Sequence, residues 1–374
     1  MESKAYYYKI GNYLAFAIVG FFIVATIIRL YPYTETNLGV SNGIDDWFRY
    51  WDNAKDISKN GLLIPSQSSV YYGPGSFLYS YFIALCFILF GENLIPIYFI
   101  QSIFLATSIL LIYYAFRDEL SGKIGLLLLI TLFLFGVLDT YKYYTFKLLS
   151  ENLALFTLAT FIYFIKIGLD NQIVKFQFLA TFFLVLSVLI RPTLFPIAFV
   201  YAFFFVIYYF KNTLLKKQNL LLLLGLLFIG ISILGFRNYL ITGTWVFLPS
   251  EGTSDSWKQL LSLDFDIIYK KLLFALGFLS SLNPEYYPRP HWFIILLLYC
   301  FYLYLRIKNW KTISYSEILF NVFIVSFYVL TILFVTVDSY GFRAFLPIQF
   351  LLIAISFLSI EKFILRFKKD YKNK

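Results

Sequence analysis

Apolar residues run along this 374-residue chain in long, nearly unbroken blocks, and polar residues gather between them. Blocks near residues 14–28, 95–116, 124–138, 148–166, 176–191, 193–210, 220–241, 291–305, 318–337 and 344–361 are long enough, or nearly so, to cross a hydrocarbon core of about 30 Å as helices. Ten spans are predicted, giving an all-α, polytopic transmembrane bundle that occupies 1–374 as a single membrane domain. Lys4 and Lys9 precede the first block, but Arg29-Leu30-Tyr31-Pro32 follows it in place of a small-x-small cleavage site, so the first helix is expected to be retained. After the last block only the basic tail Arg366 to Lys374 remains, and no soluble C-terminal domain is expected.

One apolar segment does not fit the span pattern. Ser76 to Phe90, bracketed by Pro74, Gly75 and Gly91, would rise only about 22 Å as a helix. If it does not cross, the side holding both termini carries 18 of the 31 Lys and Arg but 7 of the 21 acids; if it crosses, every later loop inverts. The positive-inside rule selects the first version. The segment is therefore read as a re-entrant or interfacial helix, with both termini cytoplasmic and with residues 32–93 and 242–290 forming two large extracytoplasmic loops.

Within the first loop, residues 46–58 have helical spacing. Trp47, Tyr50, Trp51, Ala54 and Ile57 share one face, and Asp46, Arg49, Asp52, Asn53 and Asp56 take the other. Tryptophans favour the headgroup level, so this helix is expected to lie on the membrane with its acidic face toward water or a cavity. Asp46 and Arg49 would be neighbours on that face. A merely solvated polar face is the plainer reading of the same spacing.

Composition narrows the function classes. With 60% hydrophobic and 14% charged residues and a mean hydropathy of +0.75, the chain cannot be a soluble globule, in which about 25% of residues are charged. The net charge of +10 then reflects cations kept on the cytoplasmic side, and nucleic acid is not an expected partner. Cys86 and Cys300 lie inside apolar runs and read as packing residues, not as a disulfide framework or metal cluster.

Candidate chemistry sits at the outer ends of the spans. Arg29, Arg191, Arg237 and Arg343 each fall there, on the side where cations are expected to be few. Converging guanidinium groups suit a phosphate, which they grip with paired hydrogen bonds, although each could also be a separate snorkelling anchor. Glu151 begins an apolar run on the same side and either complements the helix dipole or points into a site. The single histidine, His291, opens a span after Pro288-Arg289-Pro290 and reads more readily as an interfacial anchor than as a ligand. An acid and several arginines at a membrane surface suit a lipid phosphate carrying a sugar. Phosphate leaves unaided once cations stabilise its charge, so one carboxylate base suffices for a single inverting displacement. Glycosidases need two carboxyl groups because their leaving alkoxide must be protonated.

The run Asp46-x-x-Arg49-Tyr50-x-x-x-Ala54 followed by Gly61 resembles the first outer loop of GT-C superfamily glycosyltransferases, especially the protein O-mannosyltransferase and lipid A aminoarabinose transferase branch. The resemblance puts Asp46 at the catalytic-base position; Trp47 stands where a second acid is usual, which keeps Asp45 as a rival. Tyr72-Gly73-Pro74-Gly75 through Leu89-Phe90-Gly91-Glu92-Asn93 is similar to that family's proline-led short helix. Gly73 replaces the lysine common before that proline in the aminoarabinose branch. The likeness continues in Ser150-Glu151, Arg191-Pro192, Arg237-Asn238-Tyr239 with Gly243, and Arg343-x-x-x-Pro347. It implies a polyprenyl-phosphate-linked monosaccharide donor, with Arg49, Arg191, Arg237, Arg343, Glu151, Tyr72 and Tyr239 as donor-phosphate or substrate contacts. It further implies a hydroxyl acceptor, on a cell-envelope or lipid-linked glycan or a protein, transfer on the extracytoplasmic face, and no obligatory metal or other cofactor, a divalent cation being possible.

Two other functions share these features: a polysaccharide polymerase using polyprenyl-diphosphate donors, and a glycolipid transporter or flippase without bond chemistry. The topology gives the first measurable expectation. An Asp46→Cys protein in sealed vesicles should react with a membrane-impermeant thiol reagent from the extracytoplasmic side; labelling from the cytosolic side alone would remove the proposed site.

Overall fold

The computed structural model describes residues 2–31, 46–60, 77–141, 144–212, 215–242, 245, 265–276, 290–308, 313–334 and 345–372. Among them every regular element is helical: α1 (Glu2–Leu30), α2 (Asp46–Asn60), α3 (Phe77–Phe90), α4 (Leu94–Phe116), α5 (Gly122–Phe135), α6 (Glu151–Asp170), α7 (Val174–Ile190), α8 (Phe195–Lys211), α9 (Lys217–Thr242), α10 (Phe265–Ala275), α11 (Pro290–Lys308), α12 (Tyr315–Phe334) and α13 (Leu346–Lys372). Short 3-10 turns follow α4 and precede α8, and α5 continues into a π-helical segment, Gly136–Tyr141. The ten predicted spans fall on α1, α4 to α9 and α11 to α13. Seven of these are long and apolar enough to cross a membrane; α7, α11 and α12 are shorter apolar helices.

Contacts between helix ends show how the chain is threaded. Lys4 donates to the Asp118 carbonyl at 3.0 Å and Tyr8 to the Asp118 carboxylate at 3.1 Å, while Thr26 meets Ser102 at 2.7 Å further along the same pair. α1 and α4 are therefore antiparallel, so Tyr31 and Leu94 lie at the same end of the bundle. The intervening chain leaves and returns at that end, which is the arrangement expected if α3 does not cross.

The turn from α3 into α4 follows from two residues. Gly91 has φ 75°, a left-handed conformation that costs a glycine little, and its N–H bonds the Phe87 carbonyl to close α3. Asn93 then caps α4, its side-chain oxygen accepting from the Ile95 N–H at 2.8 Å.

The core centres on α6 and α13. Every residue from Phe345 to Ser359 is buried, so this part of α13 is mostly apolar and enclosed by its neighbours, α5, α6, α11 and α12 among them. At one end the segments read as cytoplasmic gather into an ionic network. Lys166 pairs with Glu119 and Asp170, Glu317 with Arg306 and Lys362, Ser316 donates to Asp170, and Ser121 donates to Glu361. Charges that would be costly singly in hydrocarbon are compensated in pairs.

The apolar face expected on 46–58 is present, but its partner differs. Trp51, Ala54 and Ile57 are buried against protein, in a cluster with Tyr79, Ile83 and Phe87 of α3. The Trp51 and Phe87 rings meet edge to face at 4.7 Å, Lys55 lies over Trp51 at 5.1 Å, and Lys55 pairs with Glu92 at 2.9 Å. The expected seat among lipid headgroups is corrected to a seat on α3, because a tryptophan ring gains both burial and an aromatic partner there. It is α3 that turns Leu85, Ile88, Leu89 and Phe90 outward. The expectation that both cysteines are packing residues holds for Cys86, which is buried, and not for Cys300, which is exposed on α11.

Trp51→Ala should therefore loosen α2 by about 3 kcal/mol or more. A lower thermal unfolding midpoint in detergent, or faster protease cleavage at α2, is the expected result; an unchanged protein would argue against this docking.

Candidate functional site

The end of the bundle that holds Leu30, Gly91, Ser150, Arg191 and His291 carries a second set of buried polar groups. α6 begins there with Glu151, which is 1% exposed, and α7 ends there at Arg191, which is 6% exposed. Arg191 Nη1 donates to Glu151 Oε1 at 3.1 Å. Glu151 is thus directed into the bundle, and its position on the first turn of α6 adds the helix dipole to the arginine as a stabiliser of its charge.

Around this pair runs a network of neutral groups that the pattern of the sequence does not single out. Tyr79 of α3 donates to Gln101 Oε1 at 2.8 Å, Gln101 Nε2 donates to the carbonyls of Thr145 and Lys147 at 2.9 and 3.2 Å, and Asn152 Nδ2 donates to Thr145 Oγ1 at 2.9 Å. The network fixes residues 144–150, the connection leading into α6. Burial pushes the Tyr79 phenol well above its ordinary value, with the charge of Glu151 adding to the effect, so Tyr79 is a proton donor held beside an anion.

α2 reaches this network through Tyr50. Its ring meets Tyr79 edge to face at 5.0 Å and packs against Tyr144, Leu149 and Leu346. Asp46 opens α2 one turn before Tyr50, and Arg49 immediately precedes Tyr50, so both lie on the stretch of helix nearest the network. Asp45, Tyr72 and Arg343 lie outside the described residues.

Among the described residues, three of the candidate arginines have different neighbours. Arg191 is matched to Glu151. Arg237, near the end of α9, is 9% exposed and close enough to Tyr81 of α3 to offset part of the rise that burial gives that phenol. Arg29 is exposed and rests on the Phe146 ring at 4.2 Å. Tyr239 is 44% exposed and stacks on Trp245 at 5.6 Å.

A further acid, Asp139, lies in the π-helical segment and is 2% exposed. Gln349 of α13 donates to its Oδ2 at 2.6 Å, and His291 Nε2 stands 3.4 Å from the same oxygen. His291 is therefore tied to the bundle, not a free interfacial anchor. Gln349 is one turn along α13 from Leu346, which packs with Tyr50, so this group and the start of α2 share a neighbourhood. The available signal was a single acid or amide inside an apolar span, where an uncompensated polar group is expensive. Among the described residues no three His, Cys, Asp or Glu side chains stand together as metal ligands.

Because Glu151 and Arg191 are both buried, Glu151→Gln should destabilise the protein by about 3 kcal/mol, and adding Arg191→Met should recover much of the loss. Thermal unfolding of the two variants checks this; equal midpoints for the single variant and the unmodified protein would refute the pairing.

A family model described as dolichyl-phosphate-mannose-protein mannosyltransferase matches residues 74–235, a stretch that contains α3, Glu151 and Arg191. Among solved structures, the Archaeoglobus fulgidus oligosaccharyltransferase in its apo form superposes with a TM-score of 0.56 at 13% identity, covering 96% of this chain and 52% of that one. Its complex with Zn and sulfate gives a TM-score of 0.54 at 14% identity, covering 91% of this chain and 48% of that one. The chain spans about half the length of these structures, and comparison with curated proteins gave no match. The family match covers residues 74–235, less than half of the chain, and the superpositions show that this integral membrane protein shares the all-helical fold of that oligosaccharyltransferase.

Proposed function

We propose that this chain transfers a monosaccharide from a polyprenyl-phosphate-linked donor to a hydroxyl acceptor on the extracytoplasmic face, with both termini cytoplasmic. The observation that carries the reading is the docking of α2: Asp46 begins the helix whose next turn, at Tyr50, packs on Tyr79 beside the Glu151–Arg191 pair. In this reading Asp46, with Asp45 as its rival, takes the proton of the acceptor hydroxyl as that oxygen attacks the anomeric carbon. The carbon–oxygen bond to phosphate breaks, the electron pair leaves with the phosphate, and the configuration inverts. No acid is required for the leaving group.

Cations for the departing phosphate are assigned to Arg49, Arg237 and Arg343. Arg191 is engaged by Glu151 and serves to hold the α6 and α7 ends in place. Tyr72 and Tyr239 are assigned to substrate contact, and no cofactor is obligatory. The acceptor is assigned to the glycan class, free or lipid-linked, and the family description makes polyprenyl-phosphate mannose the first donor to try.

In proteoliposomes supplied with that donor and a glycan acceptor, Asp46→Asn should lower kcat by about 10²–10⁴-fold with little change in donor KM, the range for loss of a general base. Full activity in Asp46→Asn together with loss in Asp45→Asn would move the base to Asp45. Full activity in both would end the proposal.

A further inference from the structure

Away from this site, the surface between α8 and α12 carries an open groove of about 480 Å³. Phe199, Phe203, Ile207 and Lys211 of α8 form one wall, and Tyr315 and Val322 of α12 contribute to the other. Phe203 is 70% and Phe199 55% exposed, so these rings face the surroundings of the bundle and not its core. From Phe199 to Lys211 the helix rises about 18 Å. One leaflet's share of a hydrocarbon core of about 30 Å is about 15 Å. The groove is therefore as long as one leaflet is deep, and it ends at a lysine.

That end also has a cationic surplus. Lys216 and Lys217 follow Lys211 across a short connection, and Lys217 lies over the Phe210 ring at 5.0 Å. The nearby acids are already engaged: Asp170 holds Lys166 and accepts from Ser316, while Glu317 holds Arg306 and Lys362. An apolar slot of leaflet depth with lysines at its mouth is complementary to an acyl chain joined to a phosphate.

We propose that this groove binds an anionic phospholipid of the leaflet that faces the terminal end of the bundle, with one acyl chain along Phe199 to Ile207 and its phosphate at Lys211. The site is independent of the proposed transfer reaction. Binding there adds contacts between α8 and α12 beside the place where Tyr208 and Tyr315 already meet edge to face at 4.9 Å.

The test is native mass spectrometry of the full chain released from nanodiscs of equal phosphatidylglycerol and phosphatidylcholine. The unmodified protein should retain phosphatidylglycerol preferentially. Lys211→Gln should reduce that retention about fivefold, the weight of one lysine at an anionic surface. Lys123→Gln, at an exposed position on the same end of the bundle but far from the groove in sequence, should leave it unchanged. Val322→Trp, on the exposed wall of α12, should displace the lipid by filling the slot. Equal retention of the two lipids, or equal behaviour of the Lys211 and Lys123 variants, overturns the proposal. Displacement of the retained lipid by added polyprenyl phosphate would also overturn it, by assigning the groove to the isoprenoid carrier.

Discussion

Ionised and strongly polar side chains are expensive in hydrocarbon, and that cost organises this protein. Among the described residues, buried charged groups lie toward the two ends of the bundle, where most are paired or hydrogen-bonded. At one end Glu317, Lys166 and Glu361 are compensated by neighbouring helices; at the other Glu151 faces Arg191 and Asp139 faces Gln349 and His291. Between the ends, α6 and α13 carry hydroxyl and amide groups but mostly apolar contacts. Helix registers are constrained accordingly, since sliding α7 by a turn would leave Arg191 or Glu151 buried without its partner.

The two ends use this constraint differently. The terminal end is a lattice of acids and bases that ties five or more chain segments together, an arrangement suited to rigidity. The other end combines one ion pair with neutral donors and acceptors around Tyr79, Gln101 and Asn152, and it supports a helix, α2, that is attached mainly by the apolar contacts of Tyr50, Trp51, Ala54 and Ile57. Asp46 sits at the start of that helix. The placement of the proposed base thus depends on aromatic packing against α3, and α3 in turn on the left-handed turn at Gly91 and the cap at Asn93.

Much of this was legible in the chain. The ten apolar blocks coincide with ten helices, 46–58 lies within a helix of 46–60, and 76–90 corresponds to a separate short helix between Tyr31 and Leu94, which lie at one end. Periodicity also identified the buried face of α2, because helical spacing fixes which residues share a side. It did not identify what that face meets: tryptophan suits a headgroup layer and a phenylalanine ring alike, and only the position of Phe87 decides between them. The arginines show the same limit. Four guanidinium groups at comparable depths suit one phosphate site or separate anchors alike, because depth says nothing about direction around the bundle; among the described residues Arg29 rests on Phe146, Arg191 pairs with Glu151 and Arg237 lies near Tyr81.

The sequence by itself determined the elements and their order, because hydrophobic block length, charge bias and a glycine or asparagine at a turn act locally along the chain. Tertiary structure alone decided the pairings: Glu151 with Arg191 across 40 positions, Asp139 with His291 across 152, and Gln349 with Asp139 across 210. Such pairs are selected by the need to compensate each buried charge wherever packing brings a partner within hydrogen-bond reach. Nothing in the spacing of the residues along the chain encodes that reach.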